Sequence, residues 1–135
     1  MEYKWSDSLK IGDELVDGQH KELIRMFNNL LAACASDKKE AEKNKEIKEL
    51  LDFLCLYTVQ HFADEEDLQV KCEFPGYEEH RAMHEEFKLK AFDLCKKFEG
   101  WGYSYKLASI LRAQIGQWLV DHIQQEDKKI SEYLK

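Results

Sequence analysis

The stretch from His61 to His84 carries two pairs of metal-competent side chains at helical spacing. His61 is paired with Glu65 and His80 with His84, and the break Phe74-Pro75-Gly76 lies between the pairs. Residues four apart on a helix lie on one face, a turn from each other. Two successive helices would therefore each aim a pair of ligating groups the same way. His20, His122 and Asp127 sit towards the two ends of the chain, so a fold that uses them must bring both ends back to this stretch.

Apolar periodicity supplies such a fold. A first helix over about 18–36 carries Leu23, Ile24, Phe27, Leu30, Leu31 and Cys34, with His20 at the N-terminal end of the same face and Asp17 as its expected cap. Residues 1–17, punctuated by Gly12 and Gly18, are expected to form an irregular arm whose Trp5 and Ile11 pack back on the body. The polar run Asp37–Lys45 is either a connector or the solvated start of the next helix. That second helix carries Ile47, Leu50, Leu51, Leu54, Thr58, Leu68 and Cys72. His61 and Glu65 fall in phase with this stripe, so a carboxylate points at the core, where it is costly unless paired or metal-bound. Pro75 suits the first turn of a third helix with Tyr77, Met83, Phe87, Ala91, Leu94 and Phe98 inward, and both of its histidines in phase. Gly100-Trp101-Gly102 is expected to end it. A fourth helix from about Ser104 nearly to the C-terminus carries Leu107, Leu111, Ile115, Trp118, Leu119, Ile123, Ile130 and Leu134. No strand pattern is present. The expectation is one all-α domain over residues 1–135, an up-down-up-down antiparallel four-helix bundle with an irregular N-terminal arm. In that order the start of helix one, the end of two, the start of three and the end of four share one end of the bundle. All five histidines of the chain, with Glu65, then converge at one depth.

Composition narrows the function. A net charge of −7 argues against a nucleic-acid partner, which calls for a basic face. No apolar run reaches the length of a membrane span, and the N-terminus has no signal-peptide core, so no membrane association and a cytoplasmic location are expected. Cys34, Cys55, Cys72 and Cys95 are widely spaced and read as reduced, small core residues.

Imidazoles and carboxylates without thiolates suit iron, zinc, nickel or copper, and seven ligands are too many for one ion. If two six-coordinate ions are present, five imidazoles, two bridging carboxylates and one bridging oxide or hydroxide fill all positions but one. The second carboxylate is not settled by spacing. Asp127 lies five residues after His122, roughly 140° round the helix. Glu126 is better placed in a regular helix, and a local π-type turn would bring Asp127 round.

The pattern Asp17-Gly18-Gln19-His20-Lys21, His61-x3-Glu65, His80-x3-His84 and Trp118-Leu119-Val120-Asp121-His122-Ile123-x3-Asp127 resembles the hemerythrins, most closely the single-domain bacteriohemerythrins, over nearly the whole chain. The resemblance implies a non-haem di-iron site bridged by Glu65, Asp127 and an oxo or hydroxo group. It favours Asp127 over Glu126. It implies that His80, His84 and His122 serve one iron, and that His20 and His61 serve the other, which keeps a position for O2. The implied function is reversible O2 binding for transport, storage or supply rather than enzymatic turnover.

Reversibility needs a dry pocket, and Leu23, Phe62, Trp118, Leu119 and Ile123 are its candidate wall, although each also reads as ordinary core packing. A ferritin-like oxidase would use Glu-x-x-His pairs. The residues three before the histidines are Asp17, Thr58, Tyr77, Arg81 and Leu119, so no such pair exists. A zinc hydrolase would need a general base beside a water-bearing site, and no His-Glu-x-x-His is present. An oxygen or redox sensor, or a di-iron enzyme handling peroxide or nitric oxide, would share the same ligands. The lack of an attached signalling module in these 135 residues favours carrier or supply.

Overall fold

The computed structural model describes residues 3–134, and every regular element among them is helical. The expected span of 1–135 also takes in Met1, Glu2 and Lys135, which lie outside the described residues. α1 covers Glu14–Cys34, α2 Glu40–Lys71 and α3 Tyr77–Trp101. The fourth rod is composite: α4 over Tyr105–Leu111, a π turn over Arg112–Gly116, α5 over Gln117–Gln125 and 3-10 turns over Asp127–Tyr133. α1 packs along α2, α2 along α3, and the π turn of the fourth rod against α1. The result is the antiparallel four-helix bundle that the periodicity predicts.

Asp17 does not cap α1. Asp13 does, accepting from the Val16 N–H at 3.0 Å, so the helix starts at Glu14 rather than Gly18. Asp17 is buried in the first turn instead, where its carboxylate accepts from the N–H groups of Ile11 (2.8 Å) and Gly12 (3.1 Å) and moors the arm. The arm is irregular apart from a 3-10 turn at Asp7–Leu9. Its Ile11 and Trp5 pack on the body as expected, Ile11 with Val16, Phe74 and Ile130, and Trp5 with Leu9, Ile24 and Ile123.

The polar run after α1 turns out to be mostly the solvated first turns of α2. Pro75 lies just before α3, whose N-cap is Gly76. The reversal is made by Glu73, at φ 58°, and by the Phe74 N–H bonding back to the Gln69 carbonyl at 2.9 Å, which leaves Pro75 in the turn. α3 continues through Gly100 and stops at Gly102, at φ 69°, where only glycine is comfortable. A Cβ there would also meet Asn44 Nδ2 at 3.1 Å, and Asn44 Oδ1 accepts from the Tyr103 N–H.

Leu50, Leu68, Cys72, Tyr77, Met83, Trp118 and Leu134, expected inside, are half-buried because they lie at the edges of their stripes. Gly116 has a positive reason to be glycine. A Cβ at this point of the π turn would stand 2.4 Å from the Phe27 ring and 2.9 Å from Tyr3. Its absence lets the fourth rod approach α1 closely.

Candidate metal centre

Five elements each deliver buried polar side chains to one layer: His20 from α1, His61 and Glu65 from α2, His80 and His84 from α3, His122 from α5 and Asp127 from the 3-10 turns. None is more than 6% exposed. The layer lies between the large apolar cluster that includes Leu23, Phe62, Phe87 and Leu119 and the smaller one of Ile11, Val16, Phe74 and Ile130.

The choice between Glu126 and Asp127 is made where α5 ends. At Glu126 (φ −101°, ψ −51°) the α-helix gives way to the tighter 3-10 turns, and Asp127 swings inward to 1% exposure. Glu126 stays near the surface, 3.1 Å from Lys129 Nζ. A π turn does exist in this rod, but it lies upstream of the ligands at Arg112–Gly116. It is not what brings Asp127 round.

The ligating atoms fall into two sets that share both carboxylates: His80, His84 and His122 with Glu65 and Asp127, and His20 and His61 with the same two acids. Each carboxylate divides its oxygens between the sets. Glu65 Oε1 lies 2.9 Å from His80 Nε2 and 3.3 Å from His84 Nε2, while its Oε2 lies 3.2 Å from His20 Nε2 and 3.3 Å from His61 Nε2. Asp127 Oδ1 lies 2.8 Å from His80 Nε2 and 3.1 Å from His122 Nε2, while its Oδ2 lies 2.9 Å from His20 Nε2.

The outward ring nitrogens show which atoms are free to coordinate. Asp64 can only accept, so the Gln19 amide turns its NH2 to Asp64 (2.7 Å) and its oxygen to His61 Nδ1 (2.7 Å). His61 Nδ1 therefore carries the hydrogen, and Nε2 presents a lone pair to the cluster. Glu66 fixes His84 in the same way, accepting from Nδ1 at 2.8 Å. Such outer partners are what orient metal-bound histidines. His122 Nε2 stands 3.0 Å from His80 Nε2 and 3.3 Å from His84 Nε2. Ring nitrogens facing one another this closely repel unless a proton or cation lies among them. Glu65 Oε1 and Asp127 Oδ1 are buried without a well-aligned hydrogen bond. The residues fit a pair of cations, one per set.

The metal-free electrostatics agree. Burial pulls the His20 and His80 pKa values down, but the Asp127 and Glu65 carboxylates beside them outweigh it and lift them to about 10 and about 9. His84 is raised by Glu65 and Glu66 against the same opposing burial. Burial alone would raise the Glu65 carboxyl, yet four surrounding histidines hold it well below its usual range. Asp127 is lowered too, against burial and the neighbouring Glu65, by His122 and His20. The layer demands positive charge.

Of the five candidate wall residues, two touch ligand rings and three are core residues. Phe62 lies flat on His84, with centroids 3.8 Å apart and planes at 5°, and Trp118 lies flat on His122 at 4.3 Å and 11°. Both aromatics thus back the three-histidine set. Leu23 and Leu119 are buried in the large apolar cluster, and Ile123 packs instead with Leu9 and Ile24. Glu66 escapes reasoning from spacing, because a charged residue next to Glu65 reads as a solvated position. Gln19 sits inside the motif around His20, but its contact with His61 spans two helices and has no sequence signal.

A profile for the Hemerythrin HHE cation binding domain matches residues 11–134. A bacteriohemerythrin of Stenotrophomonas maltophilia is 30% identical over 131 residues, covering 97% of this chain and 80% of that protein. A myohemerythrin of Riftia pachyptila is 32% identical over 127 residues, covering 94% and 89%. Among solved structures, the crystal structure of a hemerythrin point mutant superposes with a TM-score of 0.82 at 27% identity, covering 98% of this chain and 96% of that one.

Proposed function

Because the chain belongs to the hemerythrin family, we propose that its seven-residue cluster holds two iron ions and binds O2 reversibly. The observation that carries this reading is the division of the Glu65 and Asp127 oxygens between two histidine sets. A carboxylate that turns one oxygen to each set is placed to bridge two ions. An iron pair, when bound, supplies the two electrons with which O2 can be held and then returned.

The chain's own residues set the conditions. His80, His84 and His122 would fill one ion's coordination more completely than His20 and His61 fill the other's, so O2 would enter on the two-histidine side. Leu23, Phe62, Trp118, Leu119 and Ile123 would wall the site against water and the protons it carries. The raised histidines give up their protons as metal enters, leaving neutral imidazoles and charged carboxylates as ligands. The reading is that of an oxygen carrier or store.

The test is a visible spectrum of the iron-loaded, chemically reduced protein before and after air, with iron counted on the same sample. Two irons per chain and a band that appears with O2 and vanishes when O2 is swept out are expected. Direct oxidation to the ferric form without such a band would leave the metal centre standing and move the function to redox sensing or catalysis.

A further inference from the structure

Beyond the histidine cluster, the bundle holds a second group of reactive side chains. Cys55 on α2 and Cys95 on α3 face each other with their sulfurs 2.9 Å apart. A disulfide bond is about 2.05 Å long, so under about 1 Å of closure separates the thiols from a cross-link. The residues are 40 apart in sequence and are brought together only by the packing of the two helices. Cys55 is buried and Cys95 half-buried, so Cys95 lies nearer the solvent of the two. Neither of the other cysteines shares this arrangement: Cys34 is buried in the large apolar cluster, and Cys72 contacts the Gln69 carbonyl.

We propose that Cys55 and Cys95 form a redox-active dithiol that hydrogen peroxide converts to a reversible disulfide joining α2 to α3. The roles follow from the difference in burial. The Cys55 thiol faces Cys95 Sγ and lowers the Cys95 pKa, and Lys48 helps, against burial, Asp52 and Glu99. Cys55 is correspondingly raised by Cys95 and by burial. Cys95, the less buried of the two, is assigned as the attacking thiolate and the buried Cys55 as the resolving thiol. The Cys95 sulfur attacks one peroxide oxygen, the O–O bond breaks, and the departing hydroxide takes a proton to become water. Cys95 is left as a sulfenic acid. The Cys55 sulfur then gives up its proton and displaces the sulfenic hydroxyl, which leaves as a second water while the S–S bond forms. Two thiols and one peroxide become one disulfide and two waters; the sulfurs are oxidised by two electrons and the peroxide oxygens reduced by two.

The cross-link would pin together the two helices that carry His61, Glu65, His80 and His84 without using any of them. It rests on the thiol geometry alone and stands or falls apart from O2 binding.

The experiment treats the iron-loaded full chain with one equivalent of hydrogen peroxide, counts free thiols in denaturant and maps the peptides. Thiols falling from four to two, with Cys55 and Cys95 joined and dithiothreitol restoring all four, are expected. Cys55→Ser should stop at a dimedone-trappable sulfenic acid on Cys95, and Cys95→Ser should give no cross-link. Four thiols surviving, or two lost in any other pairing or between chains, would overturn the proposal. The peptide map is made on the unaltered protein, so it decides the matter even if a variant fails to fold.

Discussion

The two histidine sets share their carboxylates but differ in what stands behind them. On the three-histidine side, Phe62 and Trp118 lie flat on His84 and His122, and the charged Glu66 holds His84 Nδ1. On the two-histidine side no ring is stacked: His20 and His61 meet edge-on at 4.7 Å, His61 meets Phe62 at a tilt at 5.8 Å, the neutral Gln19 holds His61, and His20 Nδ1 has no hydrogen-bond partner. A stacked ring has fewer orientations open to it, and a carboxylate behind an imidazole makes it a stronger donor. One side is braced and electron-rich; the other is held more lightly. If the proposed ion pair is bound, the lighter side would yield more readily to an entering ligand.

The change with the largest expected effect removes what the sides share. Glu65→Ala should lose at least one of two irons per chain by metal analysis; full retention would mean that the carboxylate serves one side only. Phe62→Ala falls hardest on the braced side, where the ring is stacked on His84, and only a tilted contact with His61 at 5.8 Å reaches the other. It deletes a fully buried ring from the core and the stack on His84, and should cost about 3–5 kcal/mol in denaturant unfolding. A loss under about 1 kcal/mol, small for a buried aromatic, would show that the site collapses to fill the gap and that the stack is incidental.

A finer probe sets Glu66→Ala against Gln19→Ala. Each should weaken metal retention by about 10–100-fold in chelator competition, with the Glu66 change the larger because it removes a charge. A larger loss from Gln19→Ala would reverse the asymmetry.

Acidity sharpens the comparison from both sides at once. His20 and His80 have pKa values raised from 6.5 to about 10 and about 9, so the stability they give the metal-free protein is fully present below pH 6.5 and is lost as pH rises through 9 to 10. The thermal midpoint of the metal-free protein should fall over that window, because Glu65 and Asp127 stay charged with nothing to offset them. A metal-loaded sample should not show this fall. Equal falls in both would mean that other groups are responsible. The smallest effect is the control, Gly116→Ala. Crowding against Phe27 should cost about 1–3 kcal/mol, offset by up to about 1 kcal/mol of helix propensity. Net destabilisation of up to about 3 kcal/mol with both irons kept is expected, and a stabilised variant would mean that Phe27 yields freely.

Much of the fold and the ligand layer was legible because helical periodicity is a local property. A stripe such as Leu23, Phe27 and Leu30 announces its buried face, and histidines in phase with a stripe must share it. The convergence of His20, His61, His80, His84 and His122 then followed from connection lengths too short for anything but antiparallel neighbours. Boundaries were less legible. Asp13 and Asp17 offer the same capping chemistry, and the one that caps is decided by where the arm must be tied.

Residue order was enough to place four helices, their inward faces and the end of the bundle at which the histidines meet, because each of these depends on direction around or along a single helix axis. Spacing left Glu126 and Asp127 open and only the family resemblance favoured Asp127; the tertiary structure shows Asp127 turned inward, and it alone decided that each carboxylate splits its oxygens between two sets, that Gln19 and Glu66 hold ring nitrogens, that Gly116 is a point of close approach and that Cys55 meets Cys95. All of these are contacts between elements far apart in the chain or changes of helical pitch. The energy that selects them comes from packing, which no local spacing encodes.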